Sequence, residues 1–410
     1  LTAEEKASDQ APLIRTTRSD HVLFVIVTLL YWSTLYVYVP ILSPFMKSGG
    51  YADDLIGIVL GSYGFVQMLV RFPLGLLSDK MHKRKPFLML GMITGTLSCL
   101  LFMIPGSWLW PLAGRMMSGV CASAWVAFTV LYAAYFAAAD ATKAMSNISF
   151  MTVSGQLIGM VLSGWLADTY GWNAAFSAGI IFGIAGLGLA FAVKEPKEGV
   201  ARSPISLSHL REVIRTTSLR QVSTLSILAH CVLFITMFGF TPLKATSLGA
   251  SDGQLTLIVI AFMIPHGLAS LVTGRWLVPK FGTWNVIGTA YLLSGSFTVA
   301  IAFAPNLGLL ALTQVLNGFA QGMYLPILLG LAIQPFESSK RATAMGFYQA
   351  IYSIGMFAGP FLAGFINAQF GRDYGFILGG LFALTALVLT LVWKRSASRM
   401  SKPARRQLSQ

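Results

Sequence analysis

The chain is predicted to be an all-α membrane protein, with twelve transmembrane helices in two six-helix repeats and both termini cytoplasmic. Three observations predict this: apolar segments long enough to cross a bilayer, basic residues sorted to alternate loops, and glycines recurring at one sequence offset. Of the 410 residues, 55% are hydrophobic and 11% charged, against roughly a quarter charged in an ordinary soluble protein. Mean hydropathy is +0.69. So little charge cannot cover the surface of a soluble domain of this size, which excludes a cytosolic enzyme, a nucleic-acid-binding domain and a disordered chain.

A bilayer core needs about 20 apolar residues per helical crossing. Twelve stretches meet that length: 21–45, 55–78, 86–105, 109–136, 145–167, 174–193, 222–243, 255–278, 285–304, 307–333, 343–367 and 375–393. They are called spans 1 to 12 below. Turn chemistry separates them, as at Gly49-Gly50, Pro105-Gly106, Gly171, Gly282 and Pro305-Asn306. The expected organisation is an N-terminal tail (1–20), a six-helix bundle (21–193), a cytoplasmic linker (194–221), a second six-helix bundle (222–393) and a basic tail (394–410).

The net charge of +14 would suit nucleic acid until the charges are placed. With cytoplasmic termini, 24 of the 29 Lys and Arg fall on the cytoplasmic side, three (Lys47, Lys244, Arg372) on the other, and two (Arg71, Arg115) inside spans. That asymmetry is the positive-inside pattern, so the basic charge reports topology and no nucleic-acid partner is implied. The basic C-terminal tail suits anionic lipid headgroups. The cytoplasmic membrane is the expected location, as a multi-pass protein.

Gly155, Gly159 and Gly164 in span 5 recur as Gly355, Gly359 and Gly364 in span 11. Met145 recurs as Met345 and Gly171 as Gly371, all at an offset of 200. Spans 1–6 and 7–12 therefore read as parallel repeats, which in transporters rock about a midplane site.

At this point the whole chain resembles the major facilitator superfamily. The loop after span 2 reads Gly75-Leu-Leu-Ser-Asp79-Lys80-Met-His82-Lys83-Arg84. It is similar to the family's gating motif Gly-x-x-x-Asp-Arg-x-Gly-Arg-Arg, with His82 where the family has Gly. The resemblance implies that Asp79 holds the cytoplasmic gate, near Arg341 at the start of span 11. Span 4 carries Arg115-Met-Met-Ser118-Gly119, similar to the Arg-x-x-Gln-Gly motif of proton-coupled antiporters. Span 5 resembles the antiporter motif Gly-x-x-x-Gly-Pro-x-x-Gly-Gly, with Met160 in place of Pro. The Gly-Pro form stands instead in span 11 as Gly359-Pro360. The resemblance thus implies the drug and metabolite antiporter branch and weakens that assignment at these substitutions.

An arginine at mid-membrane costs about 2.5–3.5 kcal/mol on insertion scales. Arg71 and Arg115 should therefore face water or a partner, or snorkel to the interface. None of the fifteen acidic residues sits in the middle of a span. A cavity with two arginines and no carboxylate disfavours organic cations and favours anions, zwitterions with exposed carboxylates, or neutral amphiphiles. Protons then need another carrier, and His230 and His266 are the embedded candidates, although a buried histidine is more commonly an inert hydrogen-bonding residue. The family's fold implies a cavity lined by spans 1, 4, 7 and 10. Candidate residues there and beside it are Tyr36, Gln67, Trp125, Asn317, Gln321 and Tyr348. Gly155, Gly159, Gly355, Gly359 and Pro360 read as helix-packing positions.

The expected function is secondary active transport of a small organic compound by alternating access, as proton-coupled export of a drug or of an anionic or zwitterionic metabolite such as a metal chelator. The other reading is import or exchange of an organic anion held by Arg71 and Arg115. A substrate, protons and membrane lipid are the expected partners of a monomer. No cofactor, metal or enzymatic activity is expected.

Overall fold

A computed structural model describes residues 16–136, 141–195, 211, 213–336 and 338–407, with the side chains at 79, 141–143, 145–146, 338–343 and 396–407 outside that description. Among the described residues every regular element is helical. Twelve helices are long and apolar enough to cross a membrane: Arg18–Tyr36, Asp53–Ser78, Lys85–Phe102, Leu109–Ala133, Asn147–Tyr170, Trp172–Ala190, Thr217–Ser247, Asp252–Phe281, Thr283–Ala302, Leu307–Ile333, Ala344–Phe370 and Tyr374–Arg395. They are spans 1 to 12 in order.

Three spans depart from the continuous helices expected. Span 1 stops at Tyr36, turns through residues 37–41, and resumes as Leu42–Ser48. Pro40 removes one helical hydrogen bond and restricts the residue before it, and Pro44 stands in the first turn of the resumed helix, where proline is tolerated. In span 7 the α-helix gives way to a π-turn at Thr236–Phe240 before Thr241–Ser247. The two irregularities lie 199 residues apart, so the repeat extends to backbone defects. Span 8 carries a second π-turn at Thr273–Leu277.

The chain groups into two compact units. The first comprises Leu1–Tyr51, Ser62–Leu210 and Ser251–Thr256; the second comprises Ala52–Gly61, Arg211–Ala250 and Leu257–Gln410. Two short segments are therefore exchanged relative to the sequence halves: the start of span 2 packs in the second unit, and the start of span 8 in the first.

Glycines set the closest approaches. In the first unit, a Cβ on Gly155 would lie 2.9 Å from the Leu29 carbonyl oxygen, and one on Gly159 would lie 2.7 Å from that of Ser33. In the second unit, a Cβ on Gly355 would lie 2.1 Å from the Ile227 oxygen, and one on Gly359 would lie 2.7 Å from that of Cys231. Spans 1 and 5, and spans 7 and 11, thus meet backbone to backbone through the same repeated glycines, as small residues permit in membranes. Gly171 and Gly371 have φ of +84° and +107°. Each makes the left-handed turn between a long span and the next, which glycine adopts without steric cost.

Candidate functional site

The first unit gathers its polar side chains around span 4. Gly119 lets span 2 approach: a Cβ there would lie 2.8 Å from the Tyr63 carbonyl oxygen. One helical turn before it, Arg115 is 3% exposed. Its guanidinium carbon sits 4.3 Å from the centre of the Tyr63 ring and 5.9 Å from that of Tyr38. Among the described residues no hydrogen bond or ion pair reaches this guanidinium, and its Nε is buried without a partner. Ser118, which replaces the motif's Gln, donates instead to the Arg115 carbonyl at 2.6 Å. That hydroxyl is spent on its own helix.

Arg71 is buried and donates to the Ala122 carbonyl at 3.2 Å, so it ties span 2 to span 4. Gln67, one turn earlier, is fully buried. Beside them Tyr31, Trp32, Tyr36 and Trp125 form an aromatic wall. Trp32 meets Trp125 edge-on at 4.9 Å and Tyr36 at 5.5 Å. Tyr31 stacks on Trp125 at 5.9 Å and donates to the Cys121 carbonyl. The structure therefore brings Arg115, Arg71, Gln67, Tyr36 and Trp125 into one neighbourhood.

In the second unit the polar candidates divide. Gln321 donates to Asn317 Oδ1 at 3.1 Å, Ser294 donates to the same oxygen at 3.0 Å, and Asn317 Nδ2 donates to Thr298 Oγ1 at 3.1 Å. All four residues are fully buried; the Asn317 amide fastens span 10 to span 9, while Gln321 bonds within span 10 and leaves its Oε1 buried without a partner among the described residues. Tyr348 shares a 2.5 Å hydrogen bond with Ser226 Oγ, and His230 stacks on Tyr352 in the same neighbourhood. His266 lies against Phe262 at 5.5 Å, with Nδ1 buried and unpartnered.

The loop after span 2 is built more tightly than a solvated basic loop. Helix Asp53–Met81 ends at His82, whose φ of +54° is the left-handed value that glycine supplies in the family motif. Arg84 is 1% exposed and donates to Ser78 Oγ. Glu195, at the end of span 6, accepts from the backbone N–H of Arg84 and, at 3.1 Å, of Lys85. It thereby caps span 3, where a carboxylate is favoured. Lys80 is exposed, and a Cβ on Gly75 would meet open space. The side chains of Asp79 and Arg341, and hence the gate contact expected between them, lie outside the described residues. Glu195 carried no local signal, since its partners are about 110 positions away in the chain.

Among the described residues no cluster of His, Cys, Asp or Glu fits a metal ion. Cys99, Cys121 and Cys231 are buried free thiols.

A twelve-span repeat with a buried arginine in span 4 defines a class. The sequence profile of the Major Facilitator Superfamily matches residues 24–246 and 222–409, and the chain belongs to that family. It is a multi-pass inner-membrane protein, a secondary transporter of small molecules, and not an enzyme. The inner membrane transport protein YajR of Escherichia coli is 25% identical over 399 residues, covering 90% of this chain and 80% of YajR. The multidrug resistance protein MdtG of Klebsiella pneumoniae is 24% identical over 276 residues, covering 65% of this chain and 66% of MdtG. A crystal structure of a variant of the nucleoside transporter NupG superposes with a TM-score of 0.76 at 14% identity, covering 91% of this chain and 99% of that one. At that identity the likeness is one of fold.

Proposed function

We propose that this protein exports a small organic compound bearing an anionic group, as an anion or a zwitterion, in exchange for protons and by alternating access. The observation that carries the reading is Arg115: buried, faced by the Tyr63 and Tyr38 rings, and without a hydrogen bond or ion pair to its guanidinium among the described residues. A buried charge without an anionic partner costs several kcal/mol. A carboxylate on the substrate would supply that partner with a paired, charge-assisted geometry. The aromatic wall of Trp32, Tyr36 and Trp125 offers the apolar surface that an amphiphilic compound needs. Export is supported by the likeness to MdtG, and proton exchange by the antiporter-like motifs of spans 4 and 5. Both termini are taken as cytoplasmic from the distribution of basic residues, and the protein as a monomer in contact with membrane lipid.

Met160 in place of the antiporter proline favours a second reading, import or exchange of an organic anion through Arg71 and Arg115. One assay separates the two. Purified protein is placed in liposomes with a trapped pH dye and an imposed pH gradient, and cationic, neutral, zwitterionic and anionic compounds are added in turn. Proton movement opposite to the compound, strongest for those carrying a carboxylate, is the expected result. Movement in the same direction selects the import reading. A response confined to cations overturns both.

A further inference from the structure

Spans 8 and 10 of the second unit meet and then part. In one half of the pair, Cβ atoms on Gly318 and Gly322 would collide with the carbonyl oxygens of Phe262 and His266, so the two backbones are in contact. Beyond these glycines both helices are irregular. Pro326 has no N–H to offer the Gly322 carbonyl one turn back, and the Ser270 hydroxyl stands 3.2 Å from that oxygen instead. Span 8 then enters its π-turn at Thr273–Leu277, a bulge frequent at functional sites. Here the helices no longer touch: Cβ atoms on Gly274 and Gly330 would find nothing within 4 Å.

The space between them is a cavity of about 360 Å³, lined by Ser270, Thr273, Gly274, Pro326 and Gly330, and by Thr283 at the start of span 9. Val278, Ile327 and Leu331 make the rest of its wall apolar.

The repeat shows why the space is open. Gly119 against Tyr63 in the first unit recurs as Gly318 against Phe262 in the second, an offset of 199. At that offset Ser270, Thr283 and Gly330 correspond to Arg71, Arg84 and Leu131, all three buried. Three large side chains of one unit are thus replaced by small ones in the other, while the glycine contact beside them is kept. Packed interiors rarely leave such room.

The cavity has the chemistry of a site for an anionic amphiphile. Thr273 is fully buried in its wall, and its hydroxyl has no hydrogen-bond partner among the described residues. A buried hydroxyl is normally satisfied. Next to the lining residues in sequence, Leu271, Trp276 and Leu329 are exposed and apolar, and Arg275 and Lys280 are exposed cations. From Gly253 to Phe336 the chain has no Asp or Glu, so spans 8 to 10 offer these cations no carboxylate there. A tryptophan and two cations at the end of a span stand at the level of lipid headgroups.

We propose that this cleft holds one acyl chain of an anionic phospholipid. The chain lies between the parted ends of spans 8 and 10, where the volume admits part of a lipid and not a whole one. The Thr273 hydroxyl donates to an ester oxygen, and Arg275 and Lys280 meet the phosphate. The site is separate from the neighbourhood of Arg115, which lies in the first unit. On the orientation proposed above the leaflet is the cytoplasmic one, and the test that follows holds for either leaflet.

The test places the purified full-length protein in phosphatidylcholine liposomes. They carry a trace of phosphatidylglycerol with a photoreactive acyl chain or, in parallel, phosphatidylcholine with the same chain. After illumination, adducts are mapped by peptide mass spectrometry. Phosphatidylglycerol should label 270–283 and 326–334, about tenfold more than phosphatidylcholine does. Gly330→Leu fills the cleft from a position with open space and should remove this labelling, whereas Gly188→Leu on span 6 should not. Thr273→Val should reduce it. Arg275→Gln with Lys280→Gln should bring phosphatidylglycerol down to the phosphatidylcholine level. Both cations are exposed, so this pair decides the question even where Gly330→Leu fails to fold. Labelling unchanged in Gly330→Leu, or equal for the two lipids in wild type, overturns the proposal. Adding the quinolone carboxylate norfloxacin should leave the adducts in place. Their loss would make the cleft a site for the transported compound and overturn the lipid assignment.

Discussion

Asp53 and Arg372 form an ion pair at 3.3 Å across 319 positions of sequence, joining the start of span 2 to the residue after the turn that closes span 11. Nearby, a Cβ on Gly57 would lie 2.8 Å from the Gly364 Cα. In the first unit the related positions Asp252 and Trp172 share a 2.8 Å hydrogen bond, Trp172 Nε1 donating, and a Cβ on Gly164 would collide with Thr256. The same junction is thus made twice, once by an ion pair and once by a neutral donor.

Removing Arg372 should loosen the junction of spans 2 and 11. The Asp53 carboxylate is 7% exposed, and losing a charged partner there costs about 1–3 kcal/mol. Arg372→Ala should lower Tm. The exchanged pair Asp53→Arg with Arg372→Asp should recover part of the loss.

The packing glycines predict a sharp contrast. Gly159→Val places atoms against the Ser33 backbone, which cannot rotate away, and should cost about 1–3 kcal/mol. Gly188 has nothing within 4 Å of its would-be Cβ and sits on an exposed face of span 6. Gly188→Ala should be neutral or stabilising by about 0.5–1 kcal/mol. Thermal unfolding of the two variants side by side checks the assignment.

His82 holds a left-handed backbone with φ of +54°. His82→Gly removes that strain and gives up an exposed contact from the ring to the Lys80 carbonyl. A gain of about 0.5–1 kcal/mol is expected, read as a raised Tm with unchanged transport.

Much of the architecture could be read from the chain, and the reason is local. Span length and loop charge are set by the bilayer. The glycine offset survives because the same backbone contacts are made in both units. Arg71 and Arg115 stand out in the sequence because a charge inside an apolar span is costly, whereas Gln67, Tyr36 and Trp125 enter as candidates through the family resemblance. Asn317 and Gln321 show the limit. As polar residues in span 10 they read as cavity candidates, but the Asn317 amide is engaged by Ser294 and Thr298 of span 9, and Gln321 donates to Asn317 within span 10. Which face of a uniformly apolar helix meets a neighbour is not encoded in its own hydropathy. Glu195 and Ser78 were missed for the same reason, since the backbone and guanidinium they serve became neighbours only on folding.

The aromatic face under Arg115 sets its orientation. Tyr63→Leu should weaken binding of carboxylate compounds by about 0.5–2 kcal/mol, while Tyr63→Phe should retain most of it. Neutral compounds should be affected little by either change. Transport titrations with matched acid and ester compounds read the difference.

The central claim is that Arg115 holds an anionic group of the substrate. The most direct measurement is equilibrium binding of norfloxacin and of its methyl ester, which lacks the carboxylate charge, to wild-type protein, Arg115→Lys and Arg115→Ala. Wild type should prefer the acid, Arg115→Lys should keep a reduced preference, and Arg115→Ala should bind both equally. An unchanged preference for the acid in a folded Arg115→Ala protein, or a wild-type preference for the ester, would contradict the account.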